Sequence, residues 1–352
     1  MQNYSGEYPD SLLPSLRGIP FICPLCRGQL DVRKDAYHCP HCKKFYPLHG
    51  GIPDFRVFPD PFLDFQGDYD RTEIILAAID HHDFKSLLEY YWSMSDVTPE
   101  VLRPKFIRSA MLGEQKARRI LGILEDSAYK ESVTAKSVLE IGSGTGNFLS
   151  VAMLRYGQVT GIDIAMRWLH VSRRRFMDSG LPVPPLVCCC AEYLPFPDGM
   201  FDLAVASATL EFVCDQNRVL SECARCLKDN GSLYVSTVNR FSIAQDPYAY
   251  LWGVGFLPRA WQALYVRWRH KAIYDNIQLL SFHELNQMAA KYFATRKFFL
   301  PNIDNSSLHR FPLFTRLQVR VYRQLRKLPL FRLFLKWFGP GWDAIFCKQS
   351  LT

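Results

Sequence analysis

From residue 137 onward, short apolar runs alternate with stretches in which apolar residues recur three and four positions apart. Runs of four to seven apolar residues are typical of buried strands, and the longer spacing is typical of helices. The pattern predicts strands at Ser137–Ile141, 158–162, 186–190, Phe201–Ser207, 232–237 and 342–348. Strands that alternate with helices form βαβ units, so we predict an α/β fold built on a parallel sheet.

The remaining segments do not alternate in this way. Residues 60–134 show helical spacing at 73–79, 84–91 and 113–124, whereas 241–274 and 301–340 are rich in Trp, Tyr, Phe and Arg. We therefore predict four units: a tail over 1–20, a small Cys/Gly/Pro-rich module over 21–57, a helical linker or cap over 58–134, and an α/β domain over 135–352. Helical insertions are predicted within that domain at about 241–274 and 301–340.

A glycine-rich loop follows the first predicted strand. The strand runs directly into Gly142-Ser143-Gly144-Thr145-Gly146, and an apolar helical pattern follows. Glycine allows positive φ and lets a ligand approach the main chain closely. A dinucleotide-binding loop would need a glycine at Asn147, so the spacing here is G-x-G-x-G rather than G-x-G-x-x-G.

An acid ends the next predicted strand, about twenty residues after the glycines. Asp163 in this position can accept hydrogen bonds from both ribose hydroxyls of a nucleoside. The alternative is that Asp163 only caps the following helix.

These motifs together resemble class I methyltransferases dependent on S-adenosylmethionine (SAM). The glycine loop, with Glu140 two residues before it, resembles their motif I. Residues 191–202, which read A-E-Y-L-P-F and then F-D, resemble the ubiquinone/menaquinone methyltransferase type, as do L-E-F-V at 210–213 and R-C-L-K-D-N-G-S-L at 225–233. The resemblance covers about 136–240 well, and 280–293 and 342–348 weakly. It implies a Rossmann-like class I methyltransferase sheet.

The resemblance also implies SAM as cofactor and a set of cofactor contacts. Those contacts are Glu140, Gly142, Ser143, Gly144, Thr145, Gly146, Asp163, Ile164, Ala191 and Glu192. The chain departs from the family at Cys190, where the family has an acid near the adenine amino group. Glu211 follows the fourth strand and is the one candidate catalytic base; it is equally well explained as an acid at a helix N-terminus.

The cysteines near the N-terminus predict a metal site. Cys23 and Cys26 form one C-x-x-C pair, Cys39 and Cys42 form another, and twelve residues separate the pairs. Four thiolates in a tetrahedral array select Zn²⁺, and with no open position the ion is structural. Disulfides are the alternative. A chain without a secretion signal favours a reducing compartment, so we expect a cytoplasmic protein.

The segment after these cysteines, F-Y-P-L-H-G-G-I-P-D at 45–54, resembles the small zinc-ribbon proteins that partner methyltransferases acting on tRNA and translation factors. Some rRNA guanine methyltransferases also carry an N-terminal zinc module. An RNA substrate is therefore an alternative to a small-molecule methyl acceptor.

Positive charge is concentrated at the C-terminal end. Residues 251–352 carry 16 Lys/Arg against 4 Asp/Glu, whereas the whole chain has a net charge of +8. One predicted amphipathic helix has an apolar stripe beside a basic one; the apolar residues are Phe314, Leu317, Val321, Leu325 and Leu328, and the basic ones are Arg316, Arg320, Arg323 and Lys327. The apolar stripe could pack on the catalytic domain, lie on a membrane surface, or accompany a basic surface that binds RNA.

Three functions follow as alternatives. The motif set favours methyl transfer to a small, hydrophobic acceptor, in the cytoplasm or at the membrane periphery. The zinc module and the basic C-terminal third favour an RNA base methyltransferase. A non-catalytic SAM-fold subunit is the third alternative. No stretch of membrane-spanning length is free of charge or proline, so no transmembrane segment is expected.

Overall fold

A computed structural model describes residues 12–60, 63–95, 100, 103–126, 135–270, 274–302 and 313–348. The predicted tail before residue 12 and the segments 127–134 and 303–312 lie outside the described residues. The strands are β1 Asp31–Val32, β2 Ala36–His38, β3 Phe45–His49, β4 Ile52–Pro53, β5 Ser137–Ile141, β6 Gln158–Asp163, β7 Leu186–Cys188, β8 Phe201–Ser207, β9 Leu227–Val238, β10 Thr295–Phe299 and β11 Gly341–Cys347. The α-helices are α1 Phe65–Ala78, α2 Phe84–Ser93, α3 Arg103–Asp126, α4 Asn147–Ala152, α5 Met166–Asp178, α6 Gln216–Cys226, α7 Arg259–His270, α8 Phe282–Ala290, α9 Leu313–Leu325 and α10 Pro329–Phe338.

The central sheet has seven strands in the order β10-β11-β9-β8-β5-β6-β7. Strands β5 to β9 pair in parallel, and β11 runs antiparallel to both of its neighbours. The chain moves outward from β5 through β6 to β7 and then returns to β8 on the other side of β5. Ligands of open α/β sheets bind beyond the carboxyl ends of the strands at such a reversal, which here lies between β5 and β8.

The fold class predicted from the sequence is confirmed, and three strands of the central sheet depart from the prediction by more than one residue. Strand β7 ends at Cys188 rather than 190, because its pairing with β6 ends at Asp163, the last residue of that strand. Strand β9 begins at Leu227 rather than 232, because Leu227 pairs with Phe201 across a bulge. Strand β10 was not predicted; it is an edge strand whose burial does not alternate cleanly.

We call the N-terminal module, residues 21–57, the ribbon. It forms a four-stranded antiparallel sheet, β1-β2-β3-β4, and shares a hydrophobic core with the α/β domain. The ring of Phe21 lies 5.7 Å from that of Phe196. Directly after β4, Asp54 bridges Cys188 in parallel, and the amide of Phe55 donates to the Cys188 carbonyl at 2.7 Å. The module therefore extends the edge of the central sheet at β7.

Helices α1 to α3 cover the sheet on the side of the glycine loop. Two of them begin at aspartates that cap free amides: Asp64 accepts from Gln66 at 3.1 Å and Asp83 from Ser86 at 2.7 Å. Helix α3 packs on α4, and α1 packs on α5. The cap therefore contacts both helices that start next to the predicted cofactor site.

The predicted amphipathic C-terminal helix corresponds to α9, but its apolar stripe is not its packing face. Among residues 316–325, whose side chains are described, Val319 and Tyr322 are buried, and the Tyr322 hydroxyl donates to the Pro301 carbonyl at 2.8 Å. Within the predicted stripe, Leu317, Val321 and Leu328 are exposed, Leu317 to 57%, and Leu325 is half-buried. Packing of this stripe on the catalytic domain is therefore wrong; the side chain of Phe314 lies outside the described residues.

Among the helices of the described segments, none is both long enough and apolar enough to cross a membrane.

Candidate functional site

The glycine loop turns tightly between β5 and α4. Gly142 and Gly146 have φ values of +72° and +76°, and a Cβ would lie 2.5 Å from Thr209 Oγ1 at the first and 2.2 Å from Ser172 Oγ at the second. Gly144 also has positive φ, but no atom lies within 4 Å of its Cβ position. The outer two glycines are thus required by packing, and the middle one faces open space in which a ligand can approach the backbone.

Asp163 lies at the end of β6, against this loop. Its carboxylate accepts from the Gly144 amide at 2.8 Å and from the Ala165 amide at 2.9 Å. Both earlier interpretations are therefore compatible with the structure: Asp163 binds the backbone before α5 and also presents a carboxylate to the cavity beside the loop. Each carboxylate oxygen has a second lone pair, so two ribose hydroxyls can still be accepted.

Two cavities flank the loop and share Gly142 and Trp168. The cavity on the Asp163 side has a volume of about 470 Å³ and is lined by Ile162, Asp163, Ile164, Ala191, Glu192, Thr209 and Asp60, among others. The cavity on the other side has about 350 Å³ and is lined by Glu140, Ser143, Gly144, Thr145, Lys116, Trp92 and Phe106, among others. Nine of the ten predicted cofactor contacts line one of the two cavities; Gly146, the tenth, supports the loop from behind.

Buried polar atoms without a partner fit the amino-acid end of SAM. Within the described residues, Glu140 Oε2 and Ser143 Oγ are buried and accept or donate no hydrogen bond. Burial, together with the charge of Asp163, raises the pKa of the Glu140 carboxyl well above its ordinary range. Burial also raises the pKa of Asp163, against the hydrogen bonds from Ala165 and Gly144. A cation bound between them would offset this effect by favouring the ionised carboxyls, and SAM carries an ammonium and a sulfonium.

The adenine end differs from the family pattern, as the sequence indicates. Burial raises the pKa of the Cys190 thiol to about 11, so this side chain is neutral and a weak acceptor. Glu192 is engaged elsewhere: its Oε1 accepts from the amides of Cys214 at 2.8 Å and Asp215 at 3.2 Å. Asp60, from the segment after the ribbon, lines both the cavity on the Asp163 side and the adjoining cavity that contains Cys190.

Glu211 occupies a short 3-10 turn, Leu210–Phe212, and is fully buried. Its Oε1 accepts from the Val238 amide at 3.1 Å and lies 3.4 Å from the Tyr248 hydroxyl. Glu211 is not among the residues that line the two cavities within the described part of the chain. The side chain fastens the turn to the end of β9, and its catalytic role stays a prediction.

Several site residues carry no sequence signal. Trp168 on α5, Lys116 on α3 and Asp60 line the cavities but belong to no motif. Trp92 stacks on Phe106 with ring centroids 5.1 Å apart and lies 5.8 Å from Trp168. Helical spacing predicts that Lys116 lies on a helix, but it does not predict that its side chain faces the loop, and Asp60 lies on no helix.

The four predicted metal ligands come together. The sulfurs of Cys23, Cys26, Cys39 and Cys42 all lie within 4.8 Å of one another, and two pairs are 3.5 Å apart. A tetrahedron with Zn–S bonds of ~2.3 Å requires sulfurs about 3.8 Å apart, so only small shifts are needed. The Tyr46 hydroxyl lies 3.2 Å from the Cys23 sulfur and supplies a neighbouring contact of the kind that orients metal ligands. None of the eleven cysteines, all of which lie in the described residues, forms a disulfide.

The sheet order, the G-x-G-x-G turn and the acid ending β6 define a class I, Rossmann-like methyltransferase domain. Comparison with known proteins gives the same result: residues 139–235 match the family model described as "Methyltransferase domain". The chain therefore contains a methyltransferase domain of the SAM-dependent class I type.

The curated relatives include ubiquinone biosynthesis O-methyltransferases. The protein of Proteus mirabilis is 26% identical over 175 residues, which are 49% of this chain and 65% of the relative. That of Idiomarina loihiensis is 35% identical over 122 residues, which are 34% of this chain and 49% of the relative. The match thus spans half to two thirds of these relatives' length. Among solved structures, phosphoethanolamine N-methyltransferase 2 of Haemonchus contortus in complex with S-adenosyl-L-methionine is 15% identical, with a TM-score of 0.43, covering 67% of this chain and 52% of that one.

Proposed function

We propose that this protein is a SAM-dependent methyltransferase acting on a small, hydrophobic acceptor. The observation that carries the proposal is the cleft around Gly142, in which an open glycine backbone, the Asp163 carboxylate and the unpartnered Glu140 oxygen converge. A nucleoside fits the Asp163 side, and an amino acid with a positive charge fits the Glu140 side.

We assign the roles of the chain's residues accordingly. Asp163 holds the ribose hydroxyls, Glu140 and Ser143 hold the ammonium group, and the Gly144 backbone allows close approach. SAM, when bound, supplies an activated methyl group on a sulfonium. The protein's main task is then to hold the acceptor in line and exclude water, which contributes about 7–11 kcal/mol at best.

The aromatic wall of the cleft supports a hydrophobic acceptor. Trp92, Phe106 and Trp168 stand together at the cavity beside Glu140, and helix α3 adds Ala117 and Ile120. Relatives named for ubiquinone biosynthesis support the same class. We therefore favour an apolar, aromatic acceptor such as a phenol of a quinone precursor.

We further propose that Asp60 replaces the acid missing at Cys190. It lines the cavity on the Asp163 side from a segment outside the family's motifs. Its Oδ1 accepts a hydrogen bond from the Leu63 amide at 3.0 Å. A carboxylate accepts the amino hydrogens of adenine, whereas a neutral thiol does so poorly. The chain between the ribbon and α1 would thus complete the cofactor site.

We propose a structural Zn²⁺ at Cys23, Cys26, Cys39 and Cys42. The buried residues of the ribbon, among them Phe21 and Phe55, share one hydrophobic core with Phe196 of the α/β domain. The ion would hold the ribbon in the shape that presents Phe21 and Phe55 to the domain, and would take no part in methyl transfer.

The proposal is tested with labelled methyl groups. Full-length protein and SAM with a labelled methyl group are incubated with cell extract, which is then divided into lipid, RNA and protein fractions. Label in the lipid fraction, absent with an Asp163→Ala variant, would support the proposed acceptor class. Label confined to RNA would replace it with the RNA methyltransferase alternative, and SAM binding without label anywhere would indicate a non-catalytic subunit.

A further inference from the structure

The ten-residue helix α10 leaves most of its apolar side chains uncovered. Leu335 is its one buried residue, all ten being described. Leu330 is exposed to 78% and Leu333 to 60%, and Phe331, Phe334 and Trp337 are exposed as well. Apolar side chains clustered this closely on a surface mark an interaction site rather than ordinary surface composition.

Helix α9 continues this surface toward the N-terminal side. It docks by Val319 and Tyr322, while Leu317 and Val321 on another face are exposed, as is Leu328 in the turn between the helices. The uncovered stripe is therefore a feature of both helices. We call residues 313–338 the C-terminal helix pair.

The charges of the helix pair identify what covers it. The segment contains seven Lys/Arg and no Asp or Glu. Four of the cations, Arg326, Lys327, Arg332 and Lys336, line one cleft of about 620 Å³ together with Leu333 and, on its floor, Phe298 and Trp342. Arg326 is fixed there by the carbonyls of Leu300 and Pro301 at 3.3 and 2.9 Å.

Apolar side chains next to cations, with no carboxylate among them, match the boundary between acyl chains and anionic headgroups. We propose that the C-terminal helix pair docks the protein onto an anionic lipid bilayer. Leu330, Leu333 and their aromatic neighbours enter the acyl boundary, and the cleft cations bind headgroup phosphates. Helix α10 rises only about 15 Å, half of a bilayer's ~30 Å core, so it lies in the interface.

The test is sedimentation with vesicles, using the full-length protein without SAM. One set of vesicles is phosphatidylcholine alone, and in the other about a third of the lipid is phosphatidylglycerol. We expect binding to the anionic vesicles that weakens with salt. The double variant Leu330→Asp/Leu333→Asp should lose at least about tenfold in affinity, and Lys327→Gln/Arg332→Gln about fivefold to tenfold.

The matched control is Leu154→Asp, because Leu154 is equally exposed, at 69%, but lies beyond α4. It should bind vesicles like the wild type. Circular dichroism should show all variants folded, since the changed side chains are on the surface.

The proposal would be overturned by any of several outcomes. They are no binding to anionic vesicles, equal binding by the leucine double variant, or a concentration-dependent dimer that this variant abolishes in a protein that does not bind vesicles. Binding to bulk RNA that depends on the cations but not on the leucines, without vesicle binding, would do the same. Because the readout needs no turnover, failure of docking is distinguishable from failure of the proposed methyl transfer.

Discussion

Arg56 and Asp68 form a buried ion pair, with Nη1 of the arginine 2.8 Å from Oδ2 of the aspartate. Asp68 also accepts from the Met166 amide at 2.9 Å and from Arg167, while Arg56 donates to the Ile164 carbonyl at 3.2 Å. Through these two residues the ribbon exit, the cap helix α1 and the chain directly after Asp163 are fastened together. The position of Asp163 therefore depends on residues about a hundred positions earlier.

Asp68→Ala should destabilise the protein strongly, because the largely buried Arg167 would lose its carboxylate and Arg56 would keep only its pair with Asp54. The expected loss is about 3–5 kcal/mol of unfolding free energy, measured by urea denaturation. Asp70→Ala is the control, since Asp70 is exposed on the same helix and bonds Gln66. Equal stability of the two variants would show that the Arg56–Asp68 pair does not hold the cap.

Asp163→Ala should weaken SAM binding by about 1.5–3 kcal/mol, the range for hydrogen bonds to charged groups. Calorimetric titration measures the affinity, and a thermal melt checks that loss of the Gly144 and Ala165 bonds has not unfolded the loop. An unchanged affinity in a folded variant would remove Asp163 from the cofactor site.

Asp60→Asn should reduce the preference for adenine over a 6-oxo purine, because the amide can donate to an oxo group where the carboxylate cannot. Binding of S-adenosylhomocysteine should fall by about 1–3 kcal/mol. Binding of its 6-oxo analogue should hold or improve. Each ligand serves as the control for the other. An equal change in the affinity of both would mean that Asp60 does not contact the base.

Removal of the metal should destabilise the whole protein rather than the ribbon alone, because Phe21 and Phe55 share a core with Phe196. We expect one zinc per chain by elemental analysis and a lower melting temperature with chelator. Cys39→Ser should lose the metal, whereas Cys214→Ser should retain it. A zinc content of zero in the wild type, or chelator without effect, would contradict the metal assignment.

His170 predicts a pH dependence of stability. Burial, with smaller effects of His49 and Arg173, lowers its pKa from 6.5 to about 3. Between these two pH values, the imidazole of His170 therefore binds a proton in the unfolded chain and not in the folded one. The stability from this group is full above pH 6.5 and falls as the pH approaches 3, by up to about 1.4 kcal/mol per unit.

The variant His170→Leu should flatten this slope in denaturant titrations between those pH values. His270→Leu, which changes an exposed histidine, should leave it as in the wild type. An identical slope for all three proteins would mean that His170 titrates normally.

The sequence by itself determined the α/β class, the strands around the glycine loop, nine of the residues that line the two cavities, and the four cysteines that come together. It could do so because these signals are local: strand β5, the turn at Gly142–Gly146 and the C-x-x-C pairs each lie within a few residues. Backbone sterics and ligand spacing act over that same range.

Only the tertiary structure decided which side chains from distant segments complete the site. Lys116 and Trp168 reach the cleft because α3 and α5 pack where they do, and helical spacing leaves that choice open. Asp60 reaches it because of the path of the segment between the ribbon and α1. The same reason explains the wrong prediction for α9. Its sequence shows two apolar faces, Val319 with Tyr322 and Leu317 with Val321. The first face is buried, and it is the face whose Tyr322 contacts the Pro301 segment.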